Sequence, residues 1–261
     1  QFSPIQIKYF KPLVGPERRL VLVGLSGNEK SVMGNTILGS NVFISKMTLG
    51  SLSKTCQMAE KRLNGRKVVV VDMPGFSGSW YLMFLWQYTI TEITKSVNLC
   101  SPGPHVILWV IHQGHFAQEE KDMAQLIQEI FSLKGKNYMI LLFTHNNDQE
   151  GQTFEQFISQ GGSSLKDRLD LCGNRFLVFN NKAEGEEQEA LVAQLLKMTD
   201  DLVERNGEAP CYTEDMLKID LENVKKKPSQ FLVLPFQIET LQDDQARISP
   251  TKEIYEELES I

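Results

Sequence analysis

The segment GLSGNEKS (24–31) joins an apolar run, RLVLVG (19–24), to a helical pattern at 31–38. A loop that holds phosphate reads G-x-x-x-x-G-K-[ST] in that setting. Gly24, Lys30 and Ser31 fall in register with it. In such a loop the backbone amides, here those of Ser26, Gly27, Asn28, Glu29, Lys30, Ser31 and Val32, surround phosphate together with the positive end of the helix. The lysine reaches the terminal phosphates and the hydroxyl holds magnesium. One position departs from the pattern, because Glu29 stands where the second glycine belongs. Glycine there allows close approach of the backbone to phosphate, in a conformation costly for other residues. Glutamate also brings a carboxylate close to a polyphosphate. By itself so altered a motif also fits an ordinary strand–turn–helix.

A second signal is DMPG (72–75), which ends the apolar run KVVVVD (67–72). Asp72 at that point can hold magnesium through water, and Gly75 can offer its amide to a γ-phosphate. Alone, Asp-x-Pro-Gly is equally a simple turn. Placed after a phosphate loop, it is the arrangement of a P-loop GTPase.

The elements that must position these residues follow from hydrophobic patterning. HVILWVIH (105–112), YMILLFT (138–144) and RFLVFN (175–180) repeat the nearly continuous apolar runs of 19–24 and 67–72. Such runs are strands buried on both faces of a parallel sheet. Helical patterns lie between them at 31–38, 85–99, 118–133, 153–171 and 186–205. In AQEEKDMAQLIQEIF (117–131), Met123, Leu126, Ile127 and Ile130 recur at three- and four-residue spacing with charges opposite. Alternating strands and helices predict a three-layer α/β fold. CQMAEKRLNG (56–65) alternates instead and turns back through Asn64-Gly65, which predicts an antiparallel edge strand and a mostly parallel six-stranded sheet. Residues 1–18 read as a leader, 19–210 as the nucleotide-binding domain, and 211–261 as a C-terminal tail or linker with two short helices.

Composition narrows the function classes. The chain of 261 residues is 41% hydrophobic and 23% charged, which suffices for a sizeable core. A net charge of −6 argues against nucleic acid as a partner. No run approaches the ~20 apolar residues of a membrane span. Cys56, Cys100, Cys172 and Cys211 lie far apart, with no CxxC, and read as reduced thiols of a cytosolic protein.

Further segments carry a resemblance. MGNTILG (33–39), SPGPHVILWV (101–110), GHFAQEEKDM (114–123), ILLFT (140–144), CGNRFLVFNNKAEGEEQE (172–189) and LVERNG (202–207) resemble the immunity-associated GTPases, the GIMAP family, across about residues 18–212. The resemblance implies a Ras-like P-loop GTPase fold of the AIG type that binds GTP or GDP with Mg2+. It implies homo- or heterodimers through the switch and phosphate-loop face. It further implies a role in lymphocyte signalling or survival, in the cytoplasm at the cytosolic face of intracellular membranes, beside a membrane-associated partner.

Carried over residue by residue, the family pattern is altered in places. Leu25 replaces a lysine, and Glu29 the glycine. Ser53, in SLSKTC (51–56), takes the position of a magnesium-closing threonine and keeps its hydroxyl. In THNND (144–148), which contains His145, Asp148 can accept from the guanine N1 and N2 hydrogens, while Asn146 replaces a lysine. Asn180 and Asn181 match the segment at the base edge. The metal set is thus Ser31, Ser53 and Asp72. In GHFA (114–117), His115 replaces an arginine that acts across a dimer in some members; histidine lacks the fixed, forked charge.

Trp80 to Trp86 form an unbroken apolar stretch after DMPG, either core or an exposed contact surface. Two functions stay open: a GTP-binding switch with at most weak hydrolysis, and a pseudo-GTPase that uses the fold for partner contacts without appreciable nucleotide.

Overall fold

The computed structural model describes residues 15–25, 29–43, 55–63, 65–75, 82–112, 118–145, 162–180 and 183–226. Its strands are β1 (Gly15–Val23), β2 (Gln57–Leu63), β3 (Arg66–Asp72), β4 (Val106–His112), β5 (Met139–His145) and β6 (Phe176–Asn180). Its α-helices are α1 (Lys30–Leu38), α2 (Leu82–Leu99), α3 (Gln118–Ile130), α4 (Gly162–Leu171), α5 (Gly185–Asn206) and α6 (Glu214–Lys225). A 3-10 turn, Gly135–Tyr138, leads into β5.

The six strands form one sheet in the order β2-β3-β1-β4-β5-β6. All pairs are parallel except β2–β3, so the alternating segment is the antiparallel edge expected from sequence. Alternate side chains of the central strands feed two cores. On one face Val21, Trp109, Leu141 and Phe143 pack with residues of α2, α3, α4 and α6. On the other, Leu22, Leu108 and Leu142 pack with Met33 and Ile37 of α1 and Leu195 of α5. A strand lined by both cores must be apolar at every position, which is why these runs do not alternate.

Two boundaries differ from the sequence expectation. β1 begins at Gly15, so residues 15–18 of the expected leader are strand. Arg18 is buried there because Asp200 of α5 accepts from its Nε at 2.7 Å. Of the helix expected over 153–171, residues 162–171 are helix α4, and 153–161 lie outside the described residues. Beyond residue 210, Tyr212, Leu217 and Val224 are core, and α6 packs against α2 and α3. The four cysteines are free thiols. Among the described residues no helix is long and apolar enough to cross a membrane. The side chains of Trp80 to Trp86 lie outside the described residues.

Candidate functional site

Parallel strands β1, β4, β5 and β6 bring their C-terminal ends to one edge of the sheet, and β3 ends there too. The chain order reverses at β1, which has β3 on one side and β4 on the other. In open α/β sheets, ligands bind at that edge and at that reversal. α1 starts just beyond β1, so its first turn faces the end of β3.

Two sequence-predicted residues meet there. The Ser31 hydroxyl donates to Asp72 Oδ2 at 2.5 Å. Asp72 is only 3% exposed, and its second oxygen, Oδ1, is buried with no hydrogen-bond partner among the described residues. Burial pushes the Asp72 carboxyl above the usual carboxylate range, against the opposing pull of the Ser31 hydrogen bond and the Lys30 charge. A cation beside Asp72 offsets that burial, and a donor at Oδ1 satisfies the orphaned oxygen. The residues present therefore fit a hydrated divalent ion.

Lys30 is buried, and its ammonium donates to the Leu25 carbonyl at 2.8 Å, so its stem runs back along the loop. Glu29 occupies the left-handed region at φ 58°, ψ 27° and caps α1 without a side-chain cap bond. Its carbonyl accepts the Met33 amide at 2.8 Å, which starts the helix. Glu29 thus holds a glycine-type conformation at the position where the motif calls for glycine. Gly24 has φ 148° and needs the same freedom. Val32 is half-buried in the first turn of α1, and Gly75 is half-buried after β3.

The other predicted cluster sits farther along the same edge. His145 ends β5 directly beside Asn180, the last residue of β6. The THNND and FNN segments therefore leave the sheet side by side. Asn180 Nδ2 donates to Glu187 Oε1 at 3.2 Å, at the start of α5. Ser26, Gly27, Asn28, Ser53, His115, Asp148 and Asn181 lie outside the described residues. His112 and Thr144 close the neighbouring strand ends, with Nδ1 and Oγ1 3.1 Å apart.

Sequence reasoning missed Glu92. This α2 residue is 1% exposed and binds Cys56 just before β2. It belongs to no motif, and its only sequence signal is a carboxylate on an otherwise buried stripe with Thr89, Ile93 and Ser96.

A model of the AIG1 family matches residues 18–230. GTPase IMAP family member 8 of Homo sapiens is 34% identical over 192 residues, covering 73% of this chain and 28% of that protein. Immune-associated nucleotide-binding protein 9 of Arabidopsis thaliana is 33% identical over 216 residues, covering 80% of this chain and 62% of that protein. The chain therefore spans less than two thirds of either relative. Among solved structures, Toc33 from Arabidopsis thaliana in complex with GDP and Mg2+ superposes with a TM-score of 0.54 at 18% identity, over 71% of this chain and 84% of that one. At that identity the likeness concerns the fold.

Proposed function

The chain belongs to the AIG1 family, and on that footing we propose that it binds guanine nucleotide with magnesium at the C-terminal edge of its sheet. The contact of Ser31 with Asp72, beside an orphaned buried oxygen, is the observation that carries this reading. In it, Gly24 to Val32 wrap the phosphates with Lys30 at the terminal one, and Gly75 offers an amide. Ser31, Ser53 and Asp72 hold the ion, which when bound neutralises phosphate charge. His145, Asp148, Asn180 and Asn181 surround the base. Hydrolysis is slow or absent because His115 replaces the arginine finger.

Two further features belong to the proposal. Dimerisation is important for the GTPase activity of the chloroplast translocon components Toc33 and Toc159; a dimer through the switch and phosphate-loop face is the corresponding arrangement here. A switch or scaffold at the cytosolic face of intracellular membranes, in lymphocyte-type signalling, follows from the family resemblance.

Two observations favour a second reading. Glu29 sits left-handed in the phosphate loop, and Lys30 donates to the loop's own Leu25 carbonyl. That loop fits a pseudo-GTPase, an interaction module that does without nucleotide.

Titration with labelled GTP, GDP and ATP, in magnesium and in EDTA, separates the two. The switch reading expects GTP and GDP to bind in preference to ATP, and Ser31→Ala to weaken binding about tenfold in magnesium alone, the size of one lost charged hydrogen bond. Equal affinity for ATP and GTP sinks the guanine assignment, and no binding at millimolar nucleotide selects the pseudo-GTPase.

A further inference from the structure

Glu92 of α2 is a buried carboxylate outside the proposed nucleotide contacts. Its Oε2 accepts the backbone amide of Cys56 at 3.0 Å. The Cys56 thiol donates to the Glu92 carbonyl at 3.3 Å. The Lys95 ammonium donates to Glu92 Oε1 at 2.5 Å from one turn along the same helix. Two bonds thus run from one helical residue to one residue at the foot of β2.

The place where these bonds land decides what they do. Cys56 immediately precedes β2, and the next residue, Gln57, is the register partner of Asp72. Among the described residues β2 is the edge strand, paired with β3 alone. The ends of edge strands are where local opening begins. If the Gln57 end of β2 opens, the Asp72 end of β3 loses its cover and its carboxylate meets water. Leucine fills the volume of Glu92 at lower electrostatic cost, yet it cannot accept the Cys56 amide.

We propose that Glu92 is a positioning residue for the Asp72 carboxylate: by fixing Cys56 to α2 it holds the Gln57 end of β2 over Asp72, and so makes magnesium-dependent nucleotide binding depend on the placement of α2. The path runs from Glu92 to Cys56, across the Gln57–Asp72 pair, to the Ser31 hydroxyl. α2 is the next described helix after the Asp72–Gly75 turn, so a shift of α2 reaches the metal carboxylate from the strand side as well. The metal half of this inference rests on the nucleotide reading above; the anchoring half does not.

The test uses the full chain and two variants, Glu92→Leu, which removes the acceptor, and Glu92→Gln, which keeps one. Amide exchange is read over 56–63 and 66–72, with β4 (106–112) as the internal control. Glu92→Leu is expected to speed exchange about tenfold over both segments but not in β4, while Glu92→Gln stays near the native rate. The second readout is the ratio of GTP affinities in magnesium and in EDTA. It is expected to fall about tenfold in Glu92→Leu and to hold in Glu92→Gln, with the EDTA affinity unchanged in both.

Unchanged exchange in Glu92→Leu overturns the anchor. Damage in Glu92→Gln equal to that in Glu92→Leu overturns it too, since the charge and not the acceptor would then matter. Faster exchange with an unaltered magnesium ratio overturns the link to Asp72. A native chain that binds no nucleotide in either buffer removes the nucleotide reading and the metal half with it, while exchange still decides the anchor. Should Glu92→Leu fail to fold, Glu92→Asp shortens the reach with the charge kept, and is expected to move both readouts in the same direction.

Discussion

Gly103 lies beneath the carbonyl of Tyr212, so near that a Cβ at Gly103 would stand 2.1 Å from the Tyr212 oxygen. The Tyr212 amide in turn donates to the Pro104 carbonyl at 2.8 Å, and Arg19 Nε donates to the Gly103 carbonyl at 2.7 Å. The Ser-Pro-Gly-Pro-His stretch is thus a seat. It receives the chain just ahead of α6 and ties it to the start of β4.

Gly103→Ala is therefore expected to destabilise the protein. Gly103 has φ 154°, and the obstacle is backbone rather than a movable side chain. Overpacking of this kind costs about 1–3 kcal/mol, and holding an L-residue at this sparsely populated positive φ adds a further cost on the order of 1–3 kcal/mol. Urea denaturation followed by far-ultraviolet dichroism measures the sum. A midpoint unchanged from the native chain would show that the seat yields at little cost.

Asp220 makes a second prediction about the same docking. It is fully buried in α6, and its Oδ1 accepts the Lys134 amide at 2.6 Å. Its Oδ2 accepts the Gly135 amide and the Tyr212 hydroxyl, each at 2.7 Å. Asparagine offers one oxygen to these three donors and turns an N–H toward another. Asp220→Asn is expected to cost about 2–3 kcal/mol, the scale of lost hydrogen bonds to a buried charged group. Calorimetry that finds no fall in Tm counts against this account.

These same residues make α6 harder to see in the sequence than the strands. The inward positions of α6 include Leu217, Asp220 and Val224, spaced three and four apart. The middle one is a carboxylate, so the apolar stripe is broken where the structure uses a charge. Glu92 hides α2's inward face in the same way. The start of β1 is hidden in the sequence because it runs Gly-Pro-Glu-Arg-Arg before its first apolar residue, and Arg18 is buried beside Asp200, far along the chain. By contrast β4 and β5 are apolar up to His112 and Thr144 at their C-terminal ends because both faces are covered, and β2 alternates because one side is wet. Lys30 and Ser31 stand out in the sequence because the phosphate-loop pattern fixes residue type by spacing, and Asp72 because it ends an apolar run at a Pro-Gly turn. The bond from Lys30 to Leu25 has no sequence signal, since a backbone acceptor leaves no mark on residue identity.

His105 predicts a dependence on pH. Burial, with Arg19 and Arg18 close by, pushes the His105 imidazole down to about 4 from its ordinary 6.5. Its Nδ1 accepts the Arg19 amide at 3.0 Å, which requires that nitrogen to be unprotonated. Above pH 6.5 the ring is neutral in both folded and unfolded chains and contributes nothing. As pH falls from 6.5 toward 4, the unfolded chain takes up a proton that the native state refuses, and stability declines by up to about 3 kcal/mol. His105→Asn keeps an acceptor for the Arg19 amide and removes the titration. Its stability curve should therefore be flatter than the native one between those pH values, and parallel curves would discard the argument.

Glu29→Gly tests the phosphate loop. The native residue holds φ 58°, a conformation that costs an L-residue about 1–2 kcal/mol and glycine almost nothing. Glycine's extra freedom in the unfolded chain returns about 0.5–1 kcal/mol of that, so the net gain in stability is small. Binding is where the large effect belongs. A carboxylate about 5 Å from a polyphosphate, at an effective dielectric of about 20, repels each formal charge by about 3 kcal/mol before screening. Magnesium and water reduce this severely, yet a residue of about 1.4 kcal/mol is already tenfold. Glu29→Gly is expected to bind GTP at least tenfold more tightly than the native chain in an equilibrium titration with magnesium. If stability rises and GTP affinity does not, the strain is real and the charge is turned away from the phosphates. Glu29 is then compatible with a working nucleotide switch, and the pseudo-GTPase reading loses its main support.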